Sequence, residues 1–178
     1  MKEFMIYMVG ISGSGKTTIA SALEQELKER GMRNLQFIDG DVIRSQVGNI
    51  FGYTFEERMK MTQVARVVAQ YLIQNHISVI LAQVGAYEAM RSKVREAFGD
   101  HYIEIYIKCS YDECARRDVK GYYKMQKKGQ IENLNGADDA FEVPEHSNLV
   151  IDTEKVSVGE AVQIIINYLE TNGYVLGY

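Results

Sequence analysis

Short apolar runs at 4–9, 35–38, 78–81, 102–107 and 149–151 alternate along the chain with longer stretches that carry apolar residues at helical spacing. The runs are apolar almost throughout, as in Phe4-Met5-Ile6-Tyr7-Met8-Val9. A strand wetted on one face shows every-other alternation, so these predict strands covered on both faces, as in a parallel sheet between helices. The stretches 16–30, 56–75, 87–98, 111–117 and 158–172 predict the helices. In the first of them Ile19, Leu23 and Leu27 fall every four residues, one buried stripe, and Gly31 stands where the helix should stop. The expectation is an α/β fold with a mostly parallel central sheet flanked by helices. The segment 119–144 breaks this rhythm, being polar, punctuated by glycine and closed by the single proline, Pro144. A long irregular segment in a compact domain is usually functional, and here it predicts a lid over a ligand.

A chain of 178 residues holds one domain with a real core and is too short for two ordinary ones, so a single domain over 1–178 is expected. The net charge of −4 argues against a nucleic-acid partner and leaves any basic patch to a small anionic ligand. No apolar run approaches the ~20 residues that span a bilayer, so no membrane partner is expected. The opening KEFMIYMVG superficially resembles a short signal, but SGSGKTT follows it without a small-residue cleavage site, which favours a buried strand and a cytoplasmic protein. Cys109 and Cys114 have no Cys or His partner at metal-ligand spacing and read as small apolar fillers in a reducing compartment.

The strongest motif is GISGSGKTT, Gly10 to Thr18. Gly10, Gly15, Lys16 and Thr17 satisfy G-x-x-x-x-G-K-S/T between a predicted strand and a predicted helix, which is the setting of a P-loop NTPase fold. Backbone amides of Ser12, Gly13, Ser14 and Gly15, together with the helix start at Thr17 and Thr18, would surround ATP phosphates. Lys16 would bridge the outer phosphates and the Thr17 hydroxyl would ligate Mg²⁺. The competing reading is a glycine-rich turn with a solvated lysine. No Asn/Thr-Lys-x-Asp tetrapeptide occurs, which removes a guanine-reading switch protein, and an idle nucleotide-binding module would be expected to have lost Lys16, Thr17 or Asp39.

The second strand runs into FIDGDVIR, so Asp39 and Asp41 fall at its C-terminal end, where open α/β sheets bind ligands. A carboxylate there can orient an acceptor hydroxyl and take its proton, with Arg44 neutralising an anionic acceptor. An Asp-Gly turn with a solvated acid is the alternative. Arg58 and Arg91 read equally well as ligand cations or as solvated charges. The run RRDVKGYYKMQKKGQ is a basic stretch interleaved with tyrosines inside the predicted lid, suited to closing over a triphosphate.

Taken together, GISGSGKTT, DGDVIR, GYTFEER, YEAMR, and the run from RDVKGYYK through GADDAFEVPE to LVIDT resemble the adenylylsulfate (APS) kinases, in the family's order and over nearly the whole chain. The resemblance implies transfer of the ATP γ-phosphate, with Mg²⁺, to the 3′-hydroxyl of adenosine 5′-phosphosulfate (APS), giving PAPS and ADP in sulfate assimilation. It implies Asp39 as the catalytic aspartate with Asp41 beside it, and Arg44 and Arg58 on the acceptor's phosphosulfate and nucleotide portions. Lys120 matches the lid lysine, Arg117 the arginine that lies against the ATP base, and Tyr53 the place of a phenylalanine lining the acceptor site. Family members are commonly dimers, so a homodimer is consistent with it. The departures are concentrated on the acceptor's base. Met61, Gln63 and Val64 replace an Asn and an Arg pair, VGAY places Val84 and Gly85 where the family has Ile-Ser, and Leu134 replaces a stacking aromatic. An APS-kinase-like enzyme acting on a related nucleotide, such as a cytidine diphosphoramidate of capsule biosynthesis, is the alternative expectation.

Overall fold

A computed structural model describes residues 2–48 and 50–176. The strands β1 (Met5–Val9), β2 (Leu35–Asp39), β3 (Ser78–Ala82), β4 (Tyr102–Lys108) and β5 (Leu149–Asp152) form one sheet in the order β2-β3-β1-β4-β5. Every neighbouring pair is parallel, with Met5 opposite Val79 on one side of β1 and Tyr102 on the other. All five C-terminal ends therefore share one edge of the sheet.

The apolar runs divide by alternation along β1. Ile6 and Met8 join α1 (Lys16–Glu29) and α7 (Val158–Thr171) through Ile19, Leu23, Ile165 and Leu169. Met5, Tyr7 and Val9 face the other way, towards α3 (Phe55–Gln74) and α4 (Glu88–Phe98), through Ala65, Ala69, Val94 and Phe98. Each fully buried aliphatic side chain contributes roughly 1.5–3 kcal/mol to holding these layers together.

Local signals fix the helix ends. After α1 the amides of Gly31 and Met32 return to the carbonyls of Lys28 and Leu27, the paired bonds of a Schellman stop. Capping boxes start α3 at Thr54 with Glu57 and α7 at Ser157 with Glu160, and Ser110 caps α5 (Tyr111–Arg117). Two short helices fall where the apolar pattern predicts none: α2 (Gly40–Gln46), directly after β2, and α6 (Tyr122–Lys127), inside the segment expected to form a lid. Cys109 and Cys114 are free, buried thiols packed with Ile11, Tyr123 and Leu134, which is the filler role expected of them, and burial pushes the Cys114 thiol up to about 12. Among the described residues no helix is long and apolar enough to cross a membrane.

Candidate active site

The loop after β1 turns back sharply enough that the amide of Gly10 donates to Val84 O, on the loop after β3, at 3.0 Å. A Cβ on Gly10 would lie 2.4 Å from Ile107 O, so no other residue fits there without moving the sheet. The loop is braced from outside by the Tyr123 hydroxyl, which donates to Ser12 O at 2.6 Å, and by Thr153 Oγ1, which donates to Ser14 O at 3.0 Å. Arg117 donates to Thr153 Oγ1 at 3.1 Å and to Thr153 O at 3.0 Å, and its Nε donates to Glu113 at 2.8 Å, so it stands beside the loop rather than in the acceptor cleft.

Lys16 Nζ donates to Gly10 O at 2.7 Å, Ile11 O at 2.8 Å and Ser14 Oγ at 3.4 Å. Loss of hydration, followed by the nearby charge of Lys120, lowers its pKa to about 8. The Thr17 hydroxyl donates to Asp39 Oδ2 at 2.8 Å. The other oxygen of Asp39 accepts the Asp41 amide at 2.8 Å and so caps α2. The Asp-Gly pair is thus the start of a helix, not a free turn. That helix turns Asp41 towards the segment after α5, where it pairs with Lys120. Thr18 follows on the exposed first turn of α1.

From Lys16, Thr17 and Asp39 a cleft extends past Asp41 and Arg44 to Tyr53 and Arg58. Arg44 NH1 donates to Phe51 O and Gly52 O, each at 2.6 Å, and its guanidinium lies 4.6 Å from the Tyr53 ring centroid. The Arg58 guanidinium is 5.2 Å from that centroid, donates to Tyr53 O at 2.8 Å, and reaches Asn133 O across the cleft at 2.5 Å. Partial burial lowers the Arg58 pKa, yet the group stays charged. Tyr53 therefore serves two cations at once. Beyond them the cleft becomes apolar, with Met61, Met90, Ala86 and Leu134 on its walls and Val84 and Gly85 along one side. Gly85 has φ +57, and a Cβ on it would meet Val9 Cγ1 at 2.5 Å, so the serine expected of the family does not fit this backbone.

Arg91, left open by the sequence, is neither solvated nor in the cleft. It is 1% exposed and donates to Gly85 O at 2.7 Å and to Glu88 at 3.1 Å. Behind it lies Glu104 of β4, 0% exposed, which accepts from Tyr102 Oη at 2.5 Å, Ser147 Oγ at 3.0 Å and Arg95 at 3.1 Å. The signal for it was a single acid inside the otherwise apolar YIEIYI. Two further cleft residues, Tyr122 and Asn135, carry no sequence signal of their own. The strand-like strap around Asn135 is latched to the loop after β3: Tyr87 Oη donates to Asp139 at 2.7 Å and the Glu142 amide to Ala86 O at 2.8 Å.

The arrangement sets a phosphate-sized loop with an ammonium and a hydroxyl beside a carboxylate, and continues it into a cationic, then apolar, cleft. Such a site can hold two phosphate-bearing molecules in line for transfer. Among the described residues no cluster of three or more His, Cys, Asp or Glu could cage a metal, so a Mg²⁺ here would draw most of its ligands from phosphate and water, which suits that ion.

Comparison with known proteins agrees. The family model for adenylylsulphate kinase matches residues 2–152. The adenylyl-sulfate kinase of Halothermothrix orenii is 36% identical over 174 residues, covering 98% of this chain and 93% of its own. That of Staphylococcus carnosus is 39% identical over 170 residues, covering 95% and 85%. The structure of the Mycobacterium tuberculosis APS kinase CysC in complex with AMPPNP and APS matches with a TM-score of 0.89 at 26% identity, over 95% of this chain and 98% of that one. By sequence along nearly its whole length and by fold, the chain belongs to the adenylylsulphate kinase family.

Proposed function

We propose that this chain is an ATP-dependent kinase that phosphorylates the 3′-hydroxyl of APS, releasing PAPS and ADP. The observation that carries the reading is the 2.8 Å contact between Thr17 of the phosphate loop and Asp39 of β2, which puts the acceptor's carboxylate against the donor's cradle.

ATP phosphates lie on the amides of Ser12 to Thr18 and draw Lys16 from the carbonyls it now holds. Arg117 flanks the ATP base. Thr17 would hold a Mg²⁺, which would supply charge neutralisation on the phosphates. Asp39 orients the 3′-hydroxyl and accepts its proton as the bond from that oxygen to the γ-phosphorus forms and the β–γ bridge breaks towards ADP. Arg44 and Arg58, steadied by Tyr53, hold the phosphosulfate, and Asp41 positions Lys120 over the transferring group. Val84, Gly85, Met61 and Leu134 receive the base. The segment 119–144 acts as the lid, excluding water that would otherwise hydrolyse ATP. The protein belongs in the cytoplasm and pairs with a second copy, which sedimentation velocity measures.

The aliphatic Met61 and Leu134 in the base region support a second reading, a relative of APS such as a cytidine diphosphoramidate. A panel of APS, cytidine phosphoramidates and plain nucleoside monophosphates separates them, with ADP release as readout and NMR to locate the new phosphate. Turnover of APS well above the rest is the expected result. No 3′-phosphorylation of APS would sink the first reading.

A further inference from the structure

The apolar end of the cleft contains one polar group that no protein contact explains. Asn135 is 2% exposed and lies on the cleft wall beside Leu134. Its Nδ2 is fully used, donating to Asp139 Oδ2 at 3.0 Å and to Ala140 O at 2.7 Å. Both of those partners are acceptors, so turning the amide over would set oxygen against oxygen, and the orientation is fixed by chemistry. Its Oδ1 is enclosed and has no hydrogen-bond partner within the protein, the Tyr87 hydroxyl lying against the same amide. Native proteins seldom bury a carbonyl unpaired, and such an atom at a ligand site marks a place the ligand completes. The bonds to Asp139 and Ala140 account for the nitrogen. Nothing in the fold accounts for the oxygen.

The neighbouring polar groups are already committed. The Thr62 hydroxyl bonds to Tyr7, whose own hydroxyl donates to Gln83 Oε1 at 3.3 Å, and Asn133 O receives Arg58. The position where the resemblance expects a base-reading Asn holds Met61, which offers no such hydrogen bond. A donor on the ligand would complete Asn135.

Resting on the kinase reading above, we propose that Asn135 is the specificity-determining residue for the acceptor base, its Oδ1 accepting from an exocyclic amino group. The acceptor is then a nucleotide whose base carries an amine, adenine or cytosine, and the keto counterparts, hypoxanthine and uracil, are refused because they would face Oδ1 with a second acceptor. Because Oδ1 is enclosed, the 131–135 strap has to shift for the amine to reach it.

The deciding arm of the test uses the wild-type chain. kcat/KM is measured for APS, for its purine-riboside analogue lacking the amine, and for inosine 5′-phosphosulfate. The expected result is a loss of roughly 10- to 100-fold on removing the amine, carried mainly by KM, and a larger loss with inosine. Asn135→Leu should cut APS turnover and bring the three substrates to within about threefold of one another. If the wild type used all three within about twofold, the proposal would be overturned while the kinase reading stood. If cytidine diphosphoramidate were the acceptor instead, preference for it over its uridine counterpart supports the proposal and equal use defeats it. Failure to phosphorylate any of these nucleotides overturns the kinase reading and this inference together.

Discussion

Asp39 is held on both oxygens, by the Thr17 hydroxyl and by the Asp41 amide, so its carboxylate cannot turn away from the phosphate loop. Asp39→Asn keeps the shape but not the proton acceptor, and kcat should fall by roughly 10²–10⁴ with little change in the KM for ATP, measured as steady-state ADP release. Lys16 gives a pH signature. Its pKa in the empty protein is lowered to about 8, and phosphate beside it restores the charged form. Nucleotide binding should therefore take up a proton at pH 8–9, where the free lysine is losing its own, and affinity should weaken as pH rises through about 8. Calorimetry of AMPPNP in two buffers of different ionisation enthalpy reads the proton directly; identical heats at pH 8.5 would contradict it. Much of this was legible at the residue level, because a phosphate loop is local in sequence. Glu104 showed itself as the lone acid in YIEIYI, but its partners Arg95 and Ser147 did not, being brought to it by the fold, and Asn135 was silent because what sets it apart is an oxygen without a protein partner.

At the scale of elements, the two short helices absent from the apolar pattern both line the cleft, alongside α1 and α3. Helices α2 and α6 are too short to display a full amphipathic repeat, and each begins beside a glycine that also reads as a turn. Their places are set by contacts the pattern cannot contain: Asp39 capping α2, and Tyr123 of α6 reaching Ser12. Removing the hydroxyl with Tyr123→Phe should cost about 1 kcal/mol by urea denaturation and raise acceptor-independent ATP hydrolysis, because α6 is then no longer anchored to the phosphate loop. Unchanged hydrolysis would separate this helix from water exclusion. The four long helices and five strands, by contrast, were each long or apolar enough to announce themselves, and the short α5 was also expected, at 111–117.

Across the whole molecule, the apolar runs imply strands covered on both faces but are silent on which strand neighbours which. Any neighbour satisfies them equally, so the order β2-β3-β1-β4-β5 had to come from the structure. The buried charges around Glu104 tie β4, α4 and the chain before β5 into one body, through Arg91, Arg95 and Ser147. Glu104→Ala strands Arg91 without its deep counter-charge and should cost roughly 3–5 kcal/mol in equilibrium unfolding, more than most single core truncations to valine. A loss below about 1 kcal/mol would mean the two arginines find other partners.

The position of β1 has a consequence during synthesis. It is the first of the five strands to be made and the central strand of the finished sheet, buried along its whole length. Its neighbours β3 and β4 follow only roughly 70 and 100 residues later. At about 5–20 residues per second, that leaves Met5-Ile6-Tyr7-Met8-Val9 without a pairing partner for roughly 4–14 s. For that interval the nascent chain presents a fully apolar, unpaired strand, the kind of segment that chaperones at the tunnel exit bind.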